Sequence, residues 1–339
     1  MKNESQLWTW FLFYSGLPTQ RAKTLLVNWQ EQGISLPEAL AALPGRAGAL
    51  NLTPSEAARL QSTYPQAASL VALGDLTAVR WDDPLYPRHL QAMPLKLRPA
   101  LLFCRGETRL LSRPLVYLAP GDLTPKDHRL LREAVGLLMD EALLLSVYAE
   151  SDQAALLLEE LADAAGEALL FARSGLTNWA PTSVEASFLA DQRLLVASPL
   201  PPGADSQPEW DRVLQQVAMS AVDRVILSGT PTVAAGAASY LGTKPALALQ
   251  SSEAGNHPIL TAPTVCITSS PADILPWFEG TLPQLPSDQK DVHTTSMAPV
   301  GEVDLGPPPS AEEILTILRR GGEVPAALRQ RLKRKPPEP

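Results

Sequence analysis

Between residues 115 and 268 the hydrophobic positions alternate between two rhythms. Short, almost wholly apolar runs at 115–119, 142–148, 168–173, 194–198, 224–228, 245–249 and 264–268 predict strands. The stretches between them place apolar residues three and four apart and predict helices at 125–140, 152–165, 181–190, 208–221, 231–240 and 271–278. Pro125, Pro181, Pro208, Pro231 and Pro271 open five of these six, where the fixed φ of proline suits the first turn. Strands apolar on both faces and separated by helices imply an α/β fold, a Rossmann-like doubly wound sheet that is mostly parallel. Such sheets hold ligands beyond the carboxyl ends of their strands. The loops after Ala119, Tyr148, Arg173, Ser198 and Ser228 are therefore where a site is sought.

The flanks read differently. Residues 1–75 form a small helical domain: Leu7, Trp8, Phe11 and Leu12 have helical spacing, Gly16-Leu17-Pro18 interrupts, and Ala22, Leu25, Leu26 and Trp29 share the next face. Pro37 and Pro54 mark two further helix starts. Residues 76–280 make the core, and 281–309 are a Pro/Ser-rich linker. In 310–339, Ser310 to Glu313 has capping-box spacing, Ile314, Leu315, Ile317 and Leu318 line one face, and Gly321-Gly322 and Pro325 separate two short helices.

Composition narrows the function classes. The chain has 339 residues, 45% apolar and 19% charged, with no apolar run long enough to span a membrane. Cys104 and Cys266 lie in apolar runs and read as buried free thiols of a cytoplasmic protein. The net charge of −8 is unevenly spread: 1–113 carry 12 basic against 8 acidic residues, whereas 114–280 carry 8 against 20. An acidic core repels phosphate, so DNA contact is expected from local basic strips. One strip is Arg80, Arg88, Lys96, Arg98, Arg105, Arg109 and Arg113; the other is Arg319, Arg320, Arg329, Arg331, Lys333, Arg334 and Lys335. Catalysis finds no support. The four histidines are scattered, no metal-ligand spacing occurs, and neither a nucleophile elbow nor a dinucleotide fingerprint is present. The expectation is a non-enzyme without cofactor or metal.

One stretch carries a resemblance. Trp81-Asp82-Asp83-Pro84-Leu85-Tyr86-Pro87-Arg88-His89-Leu90, then Arg98 to Gly106, leads into the strand–helix alternation. This order resembles the DNA-processing protein A family (DprA/Smf). The resemblance implies a helix-hairpin-helix-like head, a truncated winged-helix-like tail, single-stranded DNA binding, a RecA-like recombinase as partner, and a homodimer active in natural transformation and recombination. It implies DNA contacts at Gly121, Ser146, Arg173, Ser174, Gly175, Arg212, Ser228, Gly229 and Thr230, with Arg319, Arg320 and Lys333 in the tail. The sequence departs from the family where a Gly-Ser-Arg loop is replaced by Ala119-Pro120-Gly121-Asp122. It departs again at Ser146-Val147-Tyr148-Ala149, which has lost the family's glycines, and at Trp210-Asp211-Arg212, which stands where an Arg-Asn-Arg cluster is expected. Ser15-Gly16-Leu17-Pro18 has one glycine fewer than the family's hairpin, and Pro18 removes an N–H, so this turn reads as packing. Two readings stay open: a DNA-handling accessory protein, and a divergent scaffold or regulatory protein that keeps the fold without the DNA pocket. A nucleotide-processing enzyme on a lysine-decarboxylase-like fold lacks its Pro-Gly-Gly run and is the least supported.

Overall fold

The computed structural model describes residues 2–67, 71, 73–141, 143–149, 151–163, 165–232, 244–249 and 264–280. The chain divides into two compact units, Met1–Gln284 and Leu285–Pro339. The 281–309 linker and the 310–339 tail lie outside the described residues.

Four helices open the chain: α1 (Lys2–Phe13), α2 (Thr19–Glu31), α3 (Leu36–Arg46) and α4 (Pro54–Thr63). Ser35 and Thr53 cap α3 and α4 in full capping boxes with Glu38 and Glu56, so three-residue spacing of hydroxyl and carboxylate sets both starts. The Ser15–Pro18 turn does pack: Ser15 is buried, its Oγ donates to Phe11 O at 2.6 Å, and Arg59 donates to Gly16 O. The head is joined to the sheet through aromatic edges. Trp8 meets Trp81 at 5.8 Å and Phe13 meets Phe103 at 6.1 Å. Apolar burial runs unbroken from Trp8 to Trp277.

The strands are β1 (Thr77–Arg80), β2 (Leu101–Gly106), β3 (Leu115–Ala119), β4 (Gly121–Asp122), β5 (Leu144–Tyr148), β6 (Ala168–Phe171), β7 (Leu194–Ser198), β8 (Arg224–Ser228), β9 (Thr230–Pro231), β10 (Ala246–Leu249) and β11 (Val265–Thr268). Nine form one sheet in the order β1-β2-β7-β6-β5-β3-β8-β10-β11. β3, β5, β6, β7, β8, β10 and β11 run parallel, while β1 and β2 add an antiparallel edge beside β7. The Rossmann-like expectation is met, and β3, β5, β6, β7 and β10 are buried at every position. The helices are α5 (Arg88–Gln91), α6 (Pro125–Asp140), α7 (Asp152–Asp163), α8 (Ser183–Ala190), α9 (Pro208–Ala221) and α10 (Ile274–Phe278).

Three expected helix starts need correction. α8 begins at Ser183 rather than Pro181, because Thr182 forms a capping box with Glu185. Pro271 opens a 3-10 turn before α10. Pro231 belongs to β9, not to a helix, and 233–240 lie outside the described residues.

The Tyr-Pro segment has a structural role. Tyr86 OH donates to Pro99 O at 2.6 Å, and Asp83 Oδ1 accepts from Leu85 N at 2.9 Å. α5 then presents Arg88 and His89 to one oxygen of Asp223, each at 2.8 Å, while the other accepts Leu115 N at 2.9 Å. Asp223 thus ties the segment leading into the sheet to the amino ends of β3 and β8. Burial pushes its pKa up, but Leu115, His89 and Arg88 outweigh this and hold it at about 2. A folded pKa below the unfolded one stabilises the fold above about pH 4, and that contribution is lost as pH falls toward 2. Asp223→Asn is expected to cost about 1–3 kcal/mol at neutral pH and to flatten the acid limb of stability; urea unfolding across pH 2–7 checks both.

β4 and β9 form a separate two-stranded ribbon, Gly121 opposite Pro231 and Asp122 opposite Thr230. Gly229 stands before it at φ +63°, and a Cβ there would lie 2.3 Å from Asp122 O. Gly229→Ala should therefore combine left-handed strain with overpacking, about 2–4 kcal/mol, read as a lowered urea midpoint with an unchanged slope.

Candidate functional site

The order of strands reverses between β3 and β8: β5, β6 and β7 lie on one side, β10 and β11 on the other. This switch point is where a doubly wound sheet opens a ligand crevice. Here the chain's own backbone fills it. The β4–β9 ribbon spans the carboxyl ends of the two strands, and Thr232 N donates to Pro120 O at 3.1 Å. A Cβ on Gly121 would lie 2.3 Å from Ser228 O and 2.9 Å from Thr230 O. Gln153 Nε2 closes the inner side by donating to Gly121 O at 2.8 Å. Gly121, Ser228, Gly229 and Thr230 are thus brought together as the sequence suggested. Their small size admits neighbouring backbone. Ser228 Oγ is buried and has no hydrogen-bond partner among the described residues.

The next loops hold a second group. Ser146 on β5 is wholly buried, and its Oγ donates to Val116 O at 3.2 Å. Arg173, two residues past β6, turns its guanidinium to Asp211 on the first turn of α9. Nη2 lies 2.7 Å from Oδ2 and Nε 3.3 Å from Oδ1. Tyr148, the last residue of β5, donates its OH to the same Oδ1 at 3.0 Å, and its ring lies 5.7 Å from the Arg173 guanidinium carbon. Burial, then the Asp211 charge, push the Tyr148 phenol up, so it stays a donor through the physiological range. Trp210, beside Asp211 in the helix, is an exposed aromatic. Ser174 is buried, and Gly175 packs so tightly that a Cβ would lie 2.1 Å from Pro201 O. Arg212 follows Asp211 in α9; its side chain lies outside the described residues, as do Arg319, Arg320 and Lys333.

The first basic strip is largely spent on carboxylates. Arg80 pairs with Glu4 and Asp82, Arg88 with Asp223, Arg105 with Asp75, and Arg109 and Arg113 with Glu167. Arg98 donates to Met93 O. Among the described residues, no group of three or more His, Cys, Asp or Glu gathers in a metal-binding arrangement. No described helix is long and apolar enough to cross a membrane. Cys104 and Cys266 are free thiols on β2 and β11.

Sequence reasoning missed the two side chains that decide the state of Arg173. Asp211 is 38 positions away and Tyr148 ends a strand, so neither spacing nor periodicity joins them. The ribbon was equally hidden, since two-residue strands leave no hydrophobic rhythm.

No family model and no curated protein matches the sequence. Solved structures do. DNA processing protein A from Streptococcus pneumoniae is 15% identical with a TM-score of 0.60, over 78% of this chain and 95% of that one. The Helicobacter pylori DNA processing protein A, described for its single-stranded DNA binding mode, is 15% identical with a TM-score of 0.48, over 60% and 96%. A molybdenum cofactor binding protein from Rippkaea orientalis is 14% identical with a TM-score of 0.37, over 50% and 96%. The chain has a DprA-like fold.

Proposed function

We propose that this chain is a DprA-like accessory protein that holds single-stranded DNA and helps to load a RecA-like recombinase in transformation and recombination. In this reading it is a cytoplasmic homodimer without catalytic chemistry. The observation that carries it is the reach of the fold likeness, 95% of the Streptococcus pneumoniae chain at a TM-score of 0.60. At the carboxyl edge the Arg173 guanidinium is paired with Asp211 and would meet a phosphate only once that pair opens, and the exposed Trp210 is an aromatic of the kind on which a base stacks.

A second reading has its own observation. The β4–β9 ribbon occupies the switch point, and the surrounding core is acidic, as expected of a scaffold that has kept the fold and lost the pocket.

Recombinase loading separates the two. On single-stranded DNA coated with single-strand-binding protein, the full chain is expected to shorten the lag before RecA filaments form. An unchanged lag, with no DNA retained by the protein, favours the scaffold.

A further inference from the structure

We propose that Asp211 is an internal anion seated where Arg173 would hold a DNA phosphate, a carboxylate latch that keeps this contact shut. The proposal rests on the DNA-binding reading above and names how its site is regulated.

The edge of a guanidinium formed by Nε and one Nη fits one bidentate oxyanion at a time, a carboxylate or a phosphate. Arg173 spends Nε and Nη2 of that edge on the two oxygens of Asp211. Tyr148 OH donates to the same carboxylate. Two donors from the ends of neighbouring parallel strands therefore converge on one acceptor from a third element, α9. A phosphodiester in that seat would meet the same edge and the same phenol.

The latch is positioned to be displaced. The Arg173 and Asp211 side chains are 34% and 27% exposed, so water and solutes reach the pair, and pairs so exposed are weak. Asp211 is a single side chain on a first turn, and it can swing away without disturbing the helix. Trp210, its neighbour in sequence, is 39% exposed, an aromatic of the kind on which an unpaired base stacks.

The test measures binding of a labelled oligothymidylate by the full chain across salt. Asp211→Asn keeps an acceptor for Tyr148 but removes the charge. It should tighten binding about tenfold at low salt and steepen log K against log salt by about 0.7, the share of one phosphate on a single strand. Asp211→Ala should act in the same direction, which guards against a local packing artefact. Arg173→Ala should change wild-type affinity little, yet cancel the whole gain on the Asp211→Asn background. Thermal unfolding of each variant confirms that it is folded. If the wild type binds and neither Asp211 variant binds more tightly, the latch is wrong and the DNA-binding reading survives. If Arg173→Ala alone abolishes wild-type binding, the latch is also wrong, because Arg173 is already open to DNA. Should no form bind, both fall.

Discussion

Strands β3 and β8 lie side by side at the centre of the sheet, and the rest of the site follows from what fills the gap beyond their carboxyl ends. The filler is backbone. Gly121 and Gly229 bring two loop segments within hydrogen-bonding distance, and the ribbon they allow lies beyond both strand ends. Glycines at such places commonly let a phosphate approach the chain. Here the same freedom lets one loop approach another. Beside the ribbon, at the ends of β5 and β6, Tyr148 and Arg173 meet α9.

Asp223 and Asp211 each hold an arginine, and their settings differ in use. Asp223 lies at the amino ends of β3 and β8, where its oxygens accept a backbone N–H as well as Arg88 and His89. It joins the Tyr-Pro segment to the centre of the sheet, so its loss is a matter of folding. Asp211 accepts only from side chains among the hydrogen bonds described for it, at the edge where ligands of such sheets bind. Its loss changes which charge faces outward. Arg80, Arg88, Arg105 and Arg109 of the leading segment are committed in similar pairs, which are individually weak but set a carboxylate beside each guanidinium that a phosphate backbone would seek.

Much of the fold was legible because the central strands carry a simple signal. The runs at 194–198 and 224–228 are apolar almost throughout, and the structure returns them as β7 and β8 with the same bounds. α6 and α9 begin at Pro125 and Pro208, where the missing N–H costs nothing. The antiparallel edge was not foreseen as part of the sheet. β1 is only four residues long and ends in Arg80, so it lacks the apolar run that marked the others. The site was legible in its parts and not in its state. Gly121, Ser228, Gly229 and Thr230 were expected together and are together, but their closure depends on backbone contacts that no residue type reports. Arg173 was singled out as a phosphate partner, yet the carboxylate that holds it comes from another element.

The first compact unit keeps a DprA-like fold in which most arginines of the leading segment are paired with carboxylates. The most direct measurement is the salt dependence of single-stranded DNA binding by a version ending at Gln284, the limit of that unit. With those pairs closed, binding should be weak with a shallow slope, equivalent to about one or two neutralised phosphates. Tight binding with a steep slope, equivalent to about five or more, would contradict this, since the paired arginines would then have to open together onto the DNA.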